Sequence, residues 1–181
     1  REQIHLLDVG TGPGFFAIIL AELGYPVTAV DYTEAMLDQA RKNAGPLASV
    51  IDFRRMDAEQ LTFPDGAFDV IVSRNLTWNL PSPDRAYSQW TRVLKQNGLL
   101  LNFDANWYRY LFSPAANVLH LEDRKNVRES NAADDTAGTD VDAMEAIARQ
   151  APLSSRRRPA WDLHILHGLG MSVSADQEIW K

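Results

Sequence analysis

The feature that most constrains this chain is a run of apolar residues, an acidic residue and three glycines near its start. Residues 4–9 (IHLLDV) predict a buried strand, and Gly10, Gly12 and Gly14 follow it at alternate positions. An amphipathic run over 14–23 then predicts a helix. Glycine lets the backbone turn sharply and approach a ligand closely, because it has no Cβ. Strand, glycine turn and helix in this order are typical of the first unit of a nucleotide-binding α/β fold.

Composition narrows the class of protein. At 181 residues the chain is long enough for one domain with a sizeable core. Its 18 Lys and Arg residues against 24 Asp and Glu residues give a net charge of −6, which disfavours nucleic acid as the main partner. The absence of cysteine excludes disulfides, thiolate metal sites and cysteine nucleophiles, and no metal site is predicted. No apolar run is long enough for a membrane span, so we expect a cytoplasmic protein without a membrane partner.

Further strands are predicted at 27–30, 50–53, 68–73 and 99–103. Between them, Thr33 is expected to begin one helix, and Ser82, followed by Pro83, another that ends at Gly98. Five strands separated by helices predict an α/β fold with a doubly wound, mostly parallel sheet and helices on both faces.

The alternation of strands and helices stops after the fifth strand. Two helical patterns lie between 106 and 159, and so long an insertion favours a helical lid. A last helix begins near Pro159, and a sixth strand is predicted at 171–175. We therefore divide the chain into a core (1–105), a lid (106–159) and a closing helix and strand (160–181). Because the chain begins almost on a strand and strand six lacks a neighbour, we also expect a preceding segment and a last strand to be missing.

Three acidic residues lie near the ends of the first three predicted strands. They are Asp8, Asp31 and Asp57, and ligands of such sheets bind outside the carboxyl ends of the strands. We therefore expect all three to converge on one crevice. Asp31 is placed to accept both hydroxyls of a ribose, and Asp57, with the Ala58 backbone, to meet an adenine edge.

Several motifs in order resemble those of class I S-adenosylmethionine-dependent methyltransferases, in the broad small-molecule subgroup called type 11. These are residues 8–14 (DVGTGPG), 30–36 (VDYTEAM), 56–59 (MDAE), 63–73 (FPDGAFDVIVS) and 94–101 (LKQNGLLL). The resemblance covers residues 4 to about 104. It implies a Rossmann-like fold, S-adenosylmethionine as cofactor, S-adenosylhomocysteine as product, and a small-molecule methyl acceptor.

The resemblance also implies which residues hold the cofactor. The glycine loop would receive the methionine part, Asp31 the ribose, and the segment after strand three the adenine edge, while two residues after strand four would line the site near the methyl group. The implied cofactor residues are Asp8, Gly10, Thr11, Gly12, Gly14, Asp31, Tyr32, Met36, Asp57, Ala58, Glu59, Arg74 and Asn75. No catalytic residue is assigned, because transfer of an activated methyl group requires mainly alignment and a dry site.

Substrate contacts are expected from aromatic residues around the lid. The candidates are Trp78, Trp107, Tyr108 and Tyr110. Packing into a helix core is the competing interpretation for the last three. The run of three arginines at 156–158 is interpreted as a solvated face.

Two other functions stay open at this point. One is an NAD(P)-dependent oxidoreductase, which Phe15 disfavours because a dinucleotide fold prefers glycine there. The other is a non-catalytic protein that binds S-adenosylmethionine. The oligomeric state, the acceptor and the methylated atom are not predicted.

Overall fold

The computed structural model describes residues 3–130 and 138–177. Within them a five-stranded sheet has the order β3-β2-β1-β4-β5, and every neighbouring pair is parallel. The strands are β1 (Leu6–Val9), β2 (Val27–Asp31), β3 (Ile51–Arg55), β4 (Phe68–Arg74) and β5 (Leu94–Phe103). The predicted α/β fold with a parallel sheet is confirmed.

Helices cover both faces of this sheet. On one face, α1 (Phe15–Glu22) and α2 (Glu34–Ala44) enclose a core that includes Ala17, Ala29 and Ile51. On the other, α3 (Pro83–Val93) and the last helix enclose a larger core around Tyr87 and Trp90, both fully buried. Since β1 lies between β2 and β4, the strand order reverses at its carboxyl end, and a crevice opens there.

Gly98 does not end α3, contrary to the sequence prediction. The helix ends at Val93, and β5 begins at the next residue. Gly98 lies inside β5, where a Cβ would come within 2.9 Å of the Asp69 carbonyl oxygen in β4. The glycine is therefore required by the close approach of two strands rather than by a helix terminus.

The sixth strand is also not formed. Met171 and Val173 pack against the core, but residues 171–177 form no ladder within the described part of the chain. The Met171 amide instead donates to Leu166 at the end of the last helix, at 3.1 Å. A cavity of about 660 Å³ separates this segment from the outer edge of β5, so the two backbones do not pair.

The insertion after β5 is helical, as its sequence pattern predicted. It contains α4 (Pro114–Ser130) and α5 (Val141–Gln150), and α6 (Ala160–Gly168) follows it. Residues 131–137 of the predicted lid, and 178–181 at the end of the predicted closing segment, lie outside the described residues. Among the helices described, none is both long and apolar enough to span a membrane.

Candidate functional site

A cavity of about 310 Å³ lies at the carboxyl ends of β1 and β2, where the strand order reverses. This volume is at the lower end of the range typical of small-ligand sites. Its lining combines carboxylates with apolar side chains. The lining residues are Gly10, Val30, Asp31, Tyr32, Met56, Asp57, Ala58, Glu59, Leu76, Leu80 and Pro81.

Asp31 is the last residue of β2, and its carboxylate connects this strand to the glycine loop and to the start of α2. Its Oδ2 accepts a hydrogen bond from the Gly12 amide at 2.9 Å, and its Oδ1 accepts one from the Thr33 amide at 3.0 Å. The Thr33 hydroxyl donates to the same Oδ1 at 3.3 Å. Since each carboxylate oxygen has two acceptor positions, Asp31 keeps capacity for a ligand hydroxyl.

The opposite wall of the cavity is anchored to α3. The Asp57 Oδ1 accepts from the Glu59 amide at 2.8 Å and forms a tight turn after β3. Glu59 Oε1 accepts from the Ser82 amide at 2.6 Å, at the start of α3. The Trp90 indole donates to the Ala58 carbonyl at 3.0 Å. These bonds hold the turn rigid against a packed helix, so the carboxyl group of Asp57 has a fixed position in the cavity wall.

The glycine loop curls over the end of β2. The amides of Gly10 and Thr11 both donate to the Val30 carbonyl, at 2.9 and 3.0 Å. A Cβ on Gly10 would lie 2.6 Å from a methyl carbon of Leu76, so no larger residue fits there without movement. Gly12 has φ +52°, and a Cβ on it would meet no atom within 4 Å. The loop therefore leaves open space beside Gly12, which suits a ligand that lies against the backbone.

Asp8 does not line this crevice, contrary to the expected convergence of three carboxylates. Strand alternation turns it towards α1, where its Oδ2 accepts from the Thr11 hydroxyl at 2.6 Å and the Ala17 amide at 3.0 Å. Burial raises the pKa of Asp8 to about 6, against hydrogen bonds from Thr11 and Ala17 that lower it. Asp8 thus supports the glycine loop from below and satisfies an amide in the first turn of α1.

Several apolar residues of the cavity wall were not among the predicted site residues. Leu76, Leu80 and Pro81 come from the segment after β4, and Met56 precedes Asp57. The sequence does contain a signal for three of them, because Leu76–Pro81 is rich in apolar residues although it follows a strand end and includes a proline. Apolar residues in such a segment indicate a buried wall.

Other predicted cofactor residues lie around the cavity rather than in its lining. The Arg74 guanidinium stacks over the exposed Phe15 ring at 4.5 Å, and Met36 is half exposed on α2. Asn75 has φ +53°, a left-handed conformation that asparagine adopts more readily than other residues with a side chain. Gly14 is the residue before α1.

Three of the aromatic candidates form a series that leads from the segment after β4 into the insertion after β5. Trp78 lies 5.2 Å from Tyr108, Tyr108 lies 6.1 Å from Tyr110, and Tyr110 stacks on His120 at 3.8 Å, measured between ring centres. The Tyr110 hydroxyl donates to Glu145 in α5 at 2.9 Å. Trp107 lies outside this series and is half exposed.

The family model described as "Methyltransferase domain" matches residues 7–102. These residues include the whole sheet except Leu6, the first residue of β1, and Phe103, the last residue of β5, together with every residue that lines the cavity. The match therefore covers the part of the chain in which the predicted motifs lie.

Known proteins resemble the same part of the chain. A ubiquinone biosynthesis O-methyltransferase of Coxiella burnetii is 32% identical over 111 residues, which are 60% of this chain and 47% of that protein. The chain thus spans about half the length of the curated relatives it matches.

Two solved structures have a TM-score of 0.53 with this chain. An S-adenosylmethionine-dependent methyltransferase from Mesorhizobium loti is 26% identical, with 60% of this chain and 50% of that one covered. The [4+2]-cyclase SpnF is 31% identical, with 56% and 39% covered. Together with the family match and the site, these likenesses place the chain in a family: it belongs to the methyltransferase domain family, with the Rossmann-like fold of the class I S-adenosylmethionine-dependent methyltransferases.

Proposed function

We propose that this protein transfers a methyl group from S-adenosylmethionine to a small-molecule acceptor. The observation that carries the proposal is the cavity lined by Asp31, at the end of β2, by Asp57 and by apolar side chains, with an open glycine turn beside it. Family membership supports the same function. The acceptor, and whether O, N, S or C is methylated, is left open.

The residues of the site fit the parts of this cofactor. Asp31 would accept a hydrogen bond from a ribose hydroxyl at the acceptor position that its Oδ2 keeps beside the bond from Gly12. Met56, Leu76 and Leu80 would enclose the adenine ring between apolar surfaces. The backbone beside Gly12 leaves space for the methionine part.

Bound S-adenosylmethionine would supply an already activated methyl group on a sulfonium. What this chain contributes is position, because an in-line displacement needs the acceptor atom aligned with the methyl–sulfur bond. Trp78 and Tyr108 would shield the acceptor from water, since their rings pack against each other with their centres 5.2 Å apart. We assign no general base.

Calorimetric titration of the full-length protein with S-adenosylhomocysteine and with NADH tests the proposal. We expect binding of S-adenosylhomocysteine and none of NADH. Asp31→Asn should weaken this binding about 10- to 100-fold, because hydrogen bonds to a charged group are worth about 1.5–3 kcal/mol. Asp38→Asn, an exposed carboxyl on α2 that pairs with Arg41, is the matched control and should bind as the wild type does.

Turnover separates the remaining alternatives. Methyl transfer to a panel of small acceptors supports the proposal, whereas binding without turnover on any of them favours a non-catalytic binding protein. Binding of NADH alone contradicts the proposal and supports an oxidoreductase. A third possibility is a reaction without methyl transfer, because one of the similar structures is a cyclase.

A further inference from the structure

We infer that Arg158 is a positioning residue for the cofactor cavity: through Asp104 it fixes residues 75–81, which carry the apolar wall of that cavity. The inference rests on the proposed function and adds to it a residue that lies outside both the cavity lining and the family match.

Arg158 is buried, although the sequence predicted a solvated run of three arginines. Its side chain is 6% exposed, and that of Asp104, which follows β5, is 1% exposed. The Arg158 Nη1 lies 3.1 Å from the Asp104 Oδ2. A buried charge is costly unless it is paired, and Arg158 supplies the opposite charge for the buried Asp104 carboxylate.

Asp104 also accepts hydrogen bonds from the segment after β4. The same Oδ2 accepts hydrogen bonds from the Trp78 amide at 3.0 Å and from the Thr77 hydroxyl. Arg158 also reaches the segment directly, because its Nη2 donates to the Thr77 Oγ1 at 2.7 Å. Two consecutive residues, Thr77 and Trp78, are therefore held by one ion pair.

The held segment is the apolar wall of the cavity. Leu76, Leu80 and Pro81 line the cavity, and the Leu76 side chain packs closely over Gly10. Thr77 lies directly after Leu76, so a shift at Thr77 moves the wall against the glycine loop. Because binding depends on contacts fixed to within a fraction of an ångström, such a shift would weaken cofactor binding.

A second set of contacts fixes Arg158 itself to α6. Its Nε and Nη2 donate to the two carboxyl oxygens of Asp162, at 2.9 and 2.7 Å. The Tyr87 hydroxyl donates to Asp162 Oδ1 at 2.7 Å and accepts from Asn102 at 2.8 Å. Tyr87 thus reaches the same segment, because Asn102, which donates to its hydroxyl, also donates to the Thr77 Oγ1 at 3.3 Å. The control is therefore Leu166, a buried core residue of α6 whose side chain is outside this network and outside the lining of the cofactor cavity.

The test measures the affinity of the full-length protein for S-adenosylhomocysteine by calorimetry. The titrations are done at a temperature well below the lowest Tm of the variants. Arg158→Met should weaken binding at least about tenfold, since small misplacements of binding groups have effects of this size or larger. Arg158→Lys should recover part of the loss, because lysine keeps the charge but not the planar fork. Thr77→Val, nearly equal in shape, should weaken binding without leaving a charge unpaired.

Leu166→Ala separates positioning from stability. It removes buried apolar contacts, so it should lower Tm yet bind S-adenosylhomocysteine as the wild type does. The inference is wrong if folded Arg158→Met binds like the wild type, or if Leu166→Ala weakens binding as strongly. Where Arg158→Met does not fold, unchanged affinity in Thr77→Val overturns it. A wild type that does not bind the probe contradicts the proposed function as well, whereas a binding wild type with unchanged variants contradicts this inference alone.

Discussion

Single residues in the glycine loop have separate tasks, although they lie within five positions of one another. Gly10 gives room for Leu76, Gly12 leaves space open, and Thr11 donates to the buried Asp8. Only the first two tasks require the missing Cβ. The loop therefore leaves open space at Gly12 and is packed into the fold at Gly10 and Thr11.

Gly12→Ala tests whether the open space is where the methionine part binds. We expect a stability loss of about 1–2 kcal/mol, the cost of a left-handed conformation for a residue with a Cβ. We also expect binding of S-adenosylhomocysteine to weaken about tenfold or more, since overpacking a close contact costs about 1–3 kcal/mol. Binding of adenosine, which lacks the methionine part, should be unchanged. Calorimetry with both ligands measures this.

The control for Gly12→Ala is Gly24→Ala. Gly24 follows α1, has φ +81°, and a Cβ on it would also meet no atom within 4 Å. Its substitution should cost similar stability and leave both affinities unchanged. Equal loss of affinity in the two variants, or loss of adenosine binding in Gly12→Ala, would contradict the assignment.

The acidic half of the site could be predicted from the sequence, because strand ends are visible as apolar runs that stop at a carboxylate. This rule located Asp31 and Asp57. It misplaced Asp8, which lies one residue before the end of β1 and therefore points to α1 rather than to the crevice. It did not find Leu76 or Leu80 either, since the position of an apolar residue after a strand depends on how the segment folds back.

At the scale of elements, side chains outside a helix accept hydrogen bonds from the backbone amides at its start and so connect the helix to the rest of the fold. Asp8 of β1 accepts from the first turn of α1, and Glu59 accepts from the start of α3. The residues immediately before these helices, Gly14 and Ser82, make no side-chain capping bond. Capping across elements cannot be predicted from local sequence, because donor and acceptor are distant along the chain.

The junction between β1 and α1 should make stability depend on pH. The folded pKa of Asp8 is about 6, above its ordinary value of 3.8, so the native state binds a proton more tightly than the unfolded state does. The wild type should therefore gain stability relative to Asp8→Asn as pH falls from about 7 to about 4. The shift of about two pKa units corresponds to about 3 kcal/mol.

Urea unfolding of the wild type and Asp8→Asn at several pH values between 4 and 7 measures this difference. Asp38→Asn controls for the loss of one carboxyl at the surface. Two results would contradict the role of the buried carboxyl. One is that the free energies of unfolding of the wild type and Asp8→Asn change in parallel with pH, and the other is that the wild type gains stability relative to Asp8→Asn as pH rises.

At the scale of the molecule, the insertion begins after β5 and ends before α6, and its two ends meet at a junction between Asn106 and Arg158. The Asn106 side-chain amide donates to the Arg158 carbonyl at 3.1 Å, although 52 positions separate the two residues. The core elements on either side were predictable from their regular alternation. The junction could not be predicted, because nothing in the arginine run 156–158 indicates that its last residue is buried and the first two are exposed.

Replacing residues 108–156 by a short glycine–serine linker tests the independence of the two parts. Since the ends of the insertion are adjacent, a short linker can join them at small entropic cost. We expect cooperative unfolding and S-adenosylhomocysteine binding to persist, and methyl transfer to be lost with the ring of Tyr108. Circular dichroism, calorimetry and an activity assay measure these three properties. Loss of cofactor binding in a folded variant would show that the insertion belongs to the cofactor site.

The junction at Arg158 also has a consequence for divergence within such a fold. Because the two ends of the insertion are tied together by a few buried contacts, the sequence between them is free to vary in length and composition without a change of register in the sheet. Under the proposed function, selection for a new acceptor would act on this insertion as an exchangeable module, while the cofactor cavity would be inherited intact. Grafting the corresponding insertion of another methyltransferase between Asn106 and Arg158 would then change the acceptor preference.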